Sequence, residues 1–135
     1  YKLMGLAAYN SEKYGKEAYN VYADTLQVDG LKFKYKKAIK DHFFYFKDKL
    51  EGQRFDAVAW GIQKRCEELL TEWVFNGIKE TGIGNVIMSG GVAQNIKAGV
   101  CISPWGVEIK PVLALDLFNL CFIDHEKAFI YFMIK

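Results

Sequence analysis

This sequence is short of proline, histidine and cysteine, and each shortage removes a class of explanation. Only Pro104 and Pro111 occur, so no ring-imposed break falls before residue 104. The three cysteines, Cys66, Cys101 and Cys121, are an odd number without C-x-x-C spacing. That suits free thiols in a reducing compartment better than a disulfide framework. The two histidines, His42 and His125, form no H-x-x-x-H or H-E-x-x-H pair. No metal site is assigned, and each is read as a surface or satisfied histidine. The longest apolar stretch, Val112 to Ile123, is interrupted by Asp116 and Asn119 and is too short to span a bilayer. Tyr1-Lys2-Leu3-Met4 has no basic region ahead of a long apolar run, so no secretory signal is read. No membrane partner and a cytoplasmic location are expected. Neither sign of charge dominates: the formal net charge is +2 and the pI is near 8.4. Such a mild balance does not call for a nucleic-acid partner.

What is present is apolar and aromatic. With 51% hydrophobic and 16% aromatic residues in 135, the chain can bury one core and is not wholly disordered. Tyr1 to Asn10 mixes apolar residues with Gly5 and ends in Asn-Ser, a turn signal. Thr25 to Tyr35 reads as a β-hairpin, with Leu26 and Val28 before Asp29-Gly30 and Leu31, Phe33 and Tyr35 after it. Asp41 to Leu50 reads as a short helix carrying Phe43, Phe44 and Phe46.

The spacing from Asp56 to about Thr81 predicts a long helix. Ala59, Ile62, Cys66, Leu69, Leu70 and Trp73 recur at three and four, and Lys64, Arg65, Glu67, Glu68 and Glu72 fill the other surface. Asp56 is placed to cap it, Phe55 to staple onto Trp60, and Gly82 to end it in a left-handed conformation. Beyond Gly99 the pattern loosens. Pro104 to Pro111 holds a candidate strand around Val107 and Ile109, and Leu113 to Ile134 is apolar with weak periodicity.

The segment Asn85 to Asn95 reads as strand, tight turn, helix: Asn85-Val86-Ile87-Met88, then Ser89-Gly90-Gly91-Val92, then Ala93-Gln94-Asn95. Residues without a Cβ let a ligand approach the main chain, and the N–H groups opening the next helix can hold an anion. A glycine pair alone is also what a strand-to-helix turn uses for conformational reasons. The lysines at 32, 34, 36, 37 and 40, interleaved with Phe33 and Tyr35, are read as a solvated face that discourages edge pairing rather than a nucleic-acid surface. Cys66 lies on the apolar stripe and is read as core packing, not as a nucleophile. No catalytic residue is assigned.

Two segments together resemble a family. Lys2-Leu3-Met4-Gly5-Leu6-Ala7-Ala8-Tyr9 resembles the K-x-M-G-L-A-x-Y-G motif of NodU/CmcH-type carbamoyltransferases. The helix opening Phe55-Asp56-Ala57-Val58-Ala59-Trp60-Gly61-Ile62-Gln63, followed by Ser89-Gly90-Gly91-Val92-Ala93-Gln94-Asn95, is similar to that family's helix and G-G-V-A-x-N loop. The resemblance covers about residues 1–98. It implies an α/β fold, part of an actin-like ATPase (ribonuclease H-like) domain with a hairpin, a long helix and a strand-Gly-Gly-helix unit. It also implies transfer of a carbamoyl group from carbamoyl adenylate, made from ATP in a separate adenylate-forming domain, to a hydroxyl or amine of a small-molecule acceptor. Ser89, Gly90, Gly91, Val92 and Asn95 would then lie against the nucleotide, with Lys2 and Gly5 in a motif near the cleft. The intact family uses a divalent metal whose ligands are not in this chain.

The departures have consequences. Asn10 stands where the family usually has glycine, and after Ala98 no Gly-Asp-Glu segment occurs. Residues 99–135 are therefore a divergent tail, of the kind a frameshifted or recombined end would give. The opening in mid-motif fits a piece of something longer, and the isolated chain is expected to be inactive. The competing reading is a catalytically silent remnant or interaction module whose apolar tail, Phe118 to Ile134, is a partner or self-association surface. A nucleotide-binding ATPase or kinase of the same superfamily is a third reading, distinguished by its acceptor.

Overall fold

The computed structural model describes residues 2–88, 95, 97–98, 101, 108–111 and 130–132. Among these the protein is mixed α/β: helices α1 (Lys2–Ala7), α2 (Glu12–Ala23), α3 (His42–Leu50) and α4 (Phe55–Thr81), and strands β1 (Leu26–Asp29), β2 (Lys32–Tyr35), β3 (Asn85–Met88), β4 (Glu108–Pro111) and β5 (Ile130–Phe132). Packing divides the chain into two compact units, Tyr1–Trp73 and Val74–Lys135, with the division inside α4.

In the first unit α2 meets α4 through residues with little or no side chain. A Cβ added to Gly61 would sit 2.6 Å from the Tyr19 amide nitrogen and 2.9 Å from the Ala18 carbonyl carbon. A Cβ on Gly15 would overlap the Trp60 ring. Ala18 and Ala57 are buried on the same two helices. Two main chains can come this close only where no β-carbon intervenes. Sequence reading did not anticipate α2, because Gly15 and three tyrosines depress its helix propensity and conceal the small-residue face. α1 was likewise unanticipated.

The hairpin forms as expected, with its turn one residue later. Pairing runs Leu26↔Tyr35, Gln27↔Lys34, Val28↔Phe33 and Asp29↔Lys32, so Gly30-Leu31, not Asp29-Gly30, is the loop. Gly30 has φ +59°, the positive value that primed hairpin turns require. Asp29 stays on the strand, where it pairs with Lys34. On the other face Phe33 packs on Trp73, centroids 5.1 Å apart, and the Trp73 indole donates to the Leu31 carbonyl at 2.9 Å.

α3 starts at an N-cap, Asp41, whose carboxylate accepts from the Phe44 amide at 3.0 Å. α4 begins one residue earlier than expected, and its start differs in kind. Phe55 is 85% exposed, so no staple to Trp60 forms. Asp56 sits inside the helix, where it accepts from Arg54 through Nε at 3.0 Å and Nη2 at 2.8 Å. Asp56 Oδ1 also accepts from the Ala57 amide at 3.1 Å, so the carboxylate does satisfy a free N–H of the first turn, from inside the helix and shared with Arg54. The helix ends as expected: Gly82, φ +71°, donates to the Ile78 carbonyl at 2.7 Å.

The second unit contains a three-stranded mixed sheet in the order β4-β3-β5. β3 runs parallel to β4 and antiparallel to β5. Val86, in the central strand, is 1% exposed. Pro111 falls on the edge strand β4, where a residue without an N–H is tolerated. The tail beyond residue 98 thus supplies two strands to this sheet. Among the described residues no helix is long and apolar enough to cross a membrane.

The glycine crossing generates the first prediction. Gly61→Ala must push α2 off α4, because the obstructing atoms are main chain, and is expected to cost about 1–3 kcal/mol, read from urea midpoints. An unchanged midpoint would show that the helices already have slack there.

Candidate functional site

The strand-turn-helix segment is built from the main chain outward. β3 closes at Met88 in the middle of its sheet, and the next described residue is Asn95. Lys97, Ala98 and Cys101 are helical, and the Ala98 amide donates to Asn95 Oδ1 at 3.3 Å. A side-chain oxygen bonded to the amide three residues on is the N-cap arrangement. Asn95 therefore stands at a helix start, as the sequence implies, and its carbonyl oxygen is committed to that cap. Ser89, Gly90, Gly91 and Val92 lie outside the described residues.

Lys2 and Gly5 share one short helix, α1, on exposed positions. A Cβ on Gly5 would meet nothing within 4 Å. Close main-chain approach thus has no partner at Gly5 within the described structure. Asn10, in the glycine position of the motif, accepts from the Ser11 amide at 2.6 Å. His125 lies outside the described residues. Among the described residues no three of His, Cys, Asp and Glu converge into a donor set for a metal.

A second site was not anticipated. In the first unit the hairpin, the end of α2, α3 and α4 enclose a half-open cleft of about 540 Å³. Its walls are almost wholly apolar and include Tyr22, Phe33, Tyr35, Phe46, Leu69 and Leu70. The rings form a chain: Tyr22 to Phe46 at 5.2 Å, Phe46 to His42 at 6.4 Å, and His42 to Tyr35 at 5.2 Å. His42 is thus one face of an aromatic wall. The signal was visible as alternating Phe33 and Tyr35 together with the aromatic run of α3, but nothing local told which neighbours these rings would find.

Arg65 also borders the cleft and organises its floor. Nη2 donates to the Leu26 carbonyl at 2.5 Å and Nη1 to Glu68 Oε2 at 3.2 Å, while Nε is buried without a partner. The same Glu68 oxygen accepts from the Tyr19 hydroxyl at 2.6 Å. The hydrogen bond to Glu68, followed by burial, pushes the Tyr19 pKa above its ordinary value. Burial raises Tyr22, and burial followed by the Glu67 charge raises the Cys66 thiol. Cys66 is thus held toward its neutral form, but it is half-buried and lines the cleft rather than being closed within the core.

Comparison with family models, with curated proteins and with solved structures returns no match to this chain.

Three outcomes follow from this geometry. Gly5→Ala is expected to be neutral or to stabilise by up to about 1 kcal/mol, since it removes unfolded-state freedom without a clash. Asn95→Ala is expected to lose about 1 kcal/mol through the cap, measured by the same denaturant titration. The third concerns alkaline pH. Tyr19, Tyr22 and Cys66 have raised folded values, so their contribution is complete below the unfolded values, about 8.5 for thiol and 10 for phenol. It is lost as pH rises through the folded values. Stability should fall above about pH 9, and Tyr19→Phe should flatten part of that fall. An identical alkaline limb in Tyr19→Phe would remove Tyr19 from the account.

Proposed function

We propose that this chain is part of the actin-like domain of an ATP-dependent carbamoyltransferase, with the turn Ser89 to Val92 and Asn95 facing the nucleotide. The observation that carries the reading is the placement of β3. It is the central strand, it pairs in parallel with β4, and its carboxyl end leads directly into Ser89-Gly90-Gly91. In sheets with parallel strands, ligands gather at the carboxyl ends, where a glycine turn exposes main-chain donors to phosphate. The Asn95 cap at the far side of the turn supports the same strand-turn-helix order.

Carbamoyl adenylate supplies a mixed anhydride: an acceptor oxygen or nitrogen bonds to its carbonyl carbon and gives up its proton to solvent, as the bond to phosphate breaks and the electron pair leaves with AMP. The chain's contribution is electrostatic. The amides of Gly90 and Gly91 would donate to phosphate oxygens, and the absence of a Cβ would let them approach. Val92 would present an apolar wall, and Asn95 would hold the helix start in register. The residues that would ligate a metal are not among those described, so no step is assigned to one.

Titrating the full chain with ATP, followed by amide chemical shifts, tests this. Shifts confined to residues 89–95, weakened at least about tenfold by Gly91→Val, are the expected result. No change at millimolar ATP favours the silent module instead. ATP binding in a full-length parent that turns over without carbamoyl phosphate would identify an ATPase or kinase.

A further inference from the structure

The β1–β2 hairpin forms one wall of the cleft, to which it contributes Leu26, Phe33 and Tyr35. Among the described residues it is a two-stranded sheet by itself. Every residue of β2 is exposed, and β1 alternates half-buried Leu26 and Val28 with exposed Gln27 and Asp29. Even with the hairpin seated, Phe33 is 42% and Tyr35 63% exposed. Moving this element therefore uncovers little further apolar surface, and a lone hairpin has only marginal stability of its own.

Its attachments divide between its two ends. At the base, Thr25 is buried and its hydroxyl donates to the Tyr22 carbonyl at 2.6 Å, while the Lys36 amide donates to the Thr25 carbonyl at 2.9 Å. Arg65 Nη2 donates to the Leu26 carbonyl at 2.5 Å, and Tyr35, opposite Leu26, packs on His42. At the tip, the Trp73 indole donates to the Leu31 carbonyl at 2.9 Å, and its ring meets Phe33 at 5.1 Å. The base is thus tied to α2, α3 and α4, whereas the tip rests on Trp73. Between them the four residues of each strand make a lever of about 10 Å.

We propose that the hairpin is a hinged lid on the cleft, pivoting at Thr25 and Lys36 and latched at its tip by Trp73, and that its opening admits small molecules to the apolar interior. Hinges lie at element ends that absorb a dihedral change, and lids are drawn from the least stable parts of a fold. Thr25 stands between α2 and β1, and Lys36 follows β2 directly. A volume of about 540 Å³ is the size of a small-molecule site. Every residue involved belongs to the first unit, so the lid does not rest on the carbamoyl reading.

Amide hydrogen exchange of the full chain at low urea tests the hinge. The Lys36–Thr25 bond and the alternation of an antiparallel ladder place further bonded pairs at Gln27–Lys34 and Asp29–Lys32. Amides of Gln27 and Lys34 should exchange at least about tenfold faster than those of Leu69 and Leu70 in α4, with a weaker urea dependence. Trp73→Phe keeps a ring for Phe33 and removes the indole donor. It should speed exchange at Gln27 and Lys34 about three- to tenfold, the worth of one hydrogen bond, and leave Leu69 and Leu70 within about twofold. Cys66 lines the cleft, so its alkylation by N-(1-pyrenyl)maleimide, read by peptide mass spectrometry, should quicken by the same factor. Hairpin and α4 amides exchanging together in the wild-type chain would overturn the proposal, whatever the variant does. So would equal acceleration at all four amides, or Cys66 alkylation unchanged while hairpin exchange rises.

Discussion

The first unit depends on one close approach, the crossing of α2 over α4 at Gly15, Ala18 and Gly61. Hydrophobic burial alone would hold two helices at 8–10 Å, with side chains filling the space between them. Here a Cβ at Gly61 would strike the Ala18–Tyr19 peptide itself, so the interaxial distance is set by main chain. Small residues contribute little transfer energy individually. Their effect is geometric: they fix where α2 sits, and α2 carries Tyr22, with Thr25 just beyond its end, to the cleft. Past the crossing, Tyr22 and Leu69 take the place of the small residues, and the large side chains leave a cleft partly roofed by the hairpin.

A second constraint keeps that hairpin in place. A two-stranded hairpin is marginal by itself, and every residue of β2 is exposed. Polar bonds from α4 compensate. Arg65 reaches the Leu26 carbonyl at the start of β1, and Trp73 reaches the Leu31 carbonyl at the turn. These two residues lie eight apart on one helix, close to two turns and more, so they grip opposite ends of the hairpin along its length. Glu68 then ties the same guanidinium to Tyr19 on α2. The orphan Arg65 Nε is an energetic penalty of this arrangement, because the fork is oriented by its other two bonds. By contrast, the exposed Lys34–Asp29 and Lys37–Asp24 pairs add little to stability.

Much of this was legible because it is local. Period-two alternation around a glycine turn marks the hairpin, and three-four spacing with a terminal glycine marks α4, since both are written within a few residues. The Asn85–Met88 strand and the helix start at Asn95 follow from the order of apolar run, glycines and polar residues. What escaped is non-local or competitive. Asp29-Gly30 was the expected turn pair, yet Asp29 pairs with Lys32 on the ladder and the loop is Gly30-Leu31. Asp56 was the expected cap, and it does accept a first-turn amide, but from within the helix and shared with Arg54. α2 was hidden because the glycine that weakens its propensity is the one its packing requires. The cleft was hidden for the same reason, as its walls come from four elements whose meeting depends on that crossing. Of the candidate nucleotide residues, only Asn95 among the described residues has a bond that bears on its role, and that bond is a cap.

The asymmetry between the two glycine pairs is instructive about function. Gly15 and Gly61 are used for packing: a Cβ at either meets protein atoms at once. Gly5, which belongs to a sequence motif, meets nothing, so packing gives no reason for its presence. Glycine in a helix costs about 1 kcal/mol relative to alanine. Where packing does not require that cost, the described structure gives no account of the missing Cβ. The same test applies to Gly90 and Gly91. If a Cβ there would strike a neighbouring helix, the turn is a packing device like Gly61. If it would point into open space beside the end of β3, the turn is available to a phosphate, a use of glycine distinct from close packing at Gly61 and from positive φ at Gly30 and Gly82.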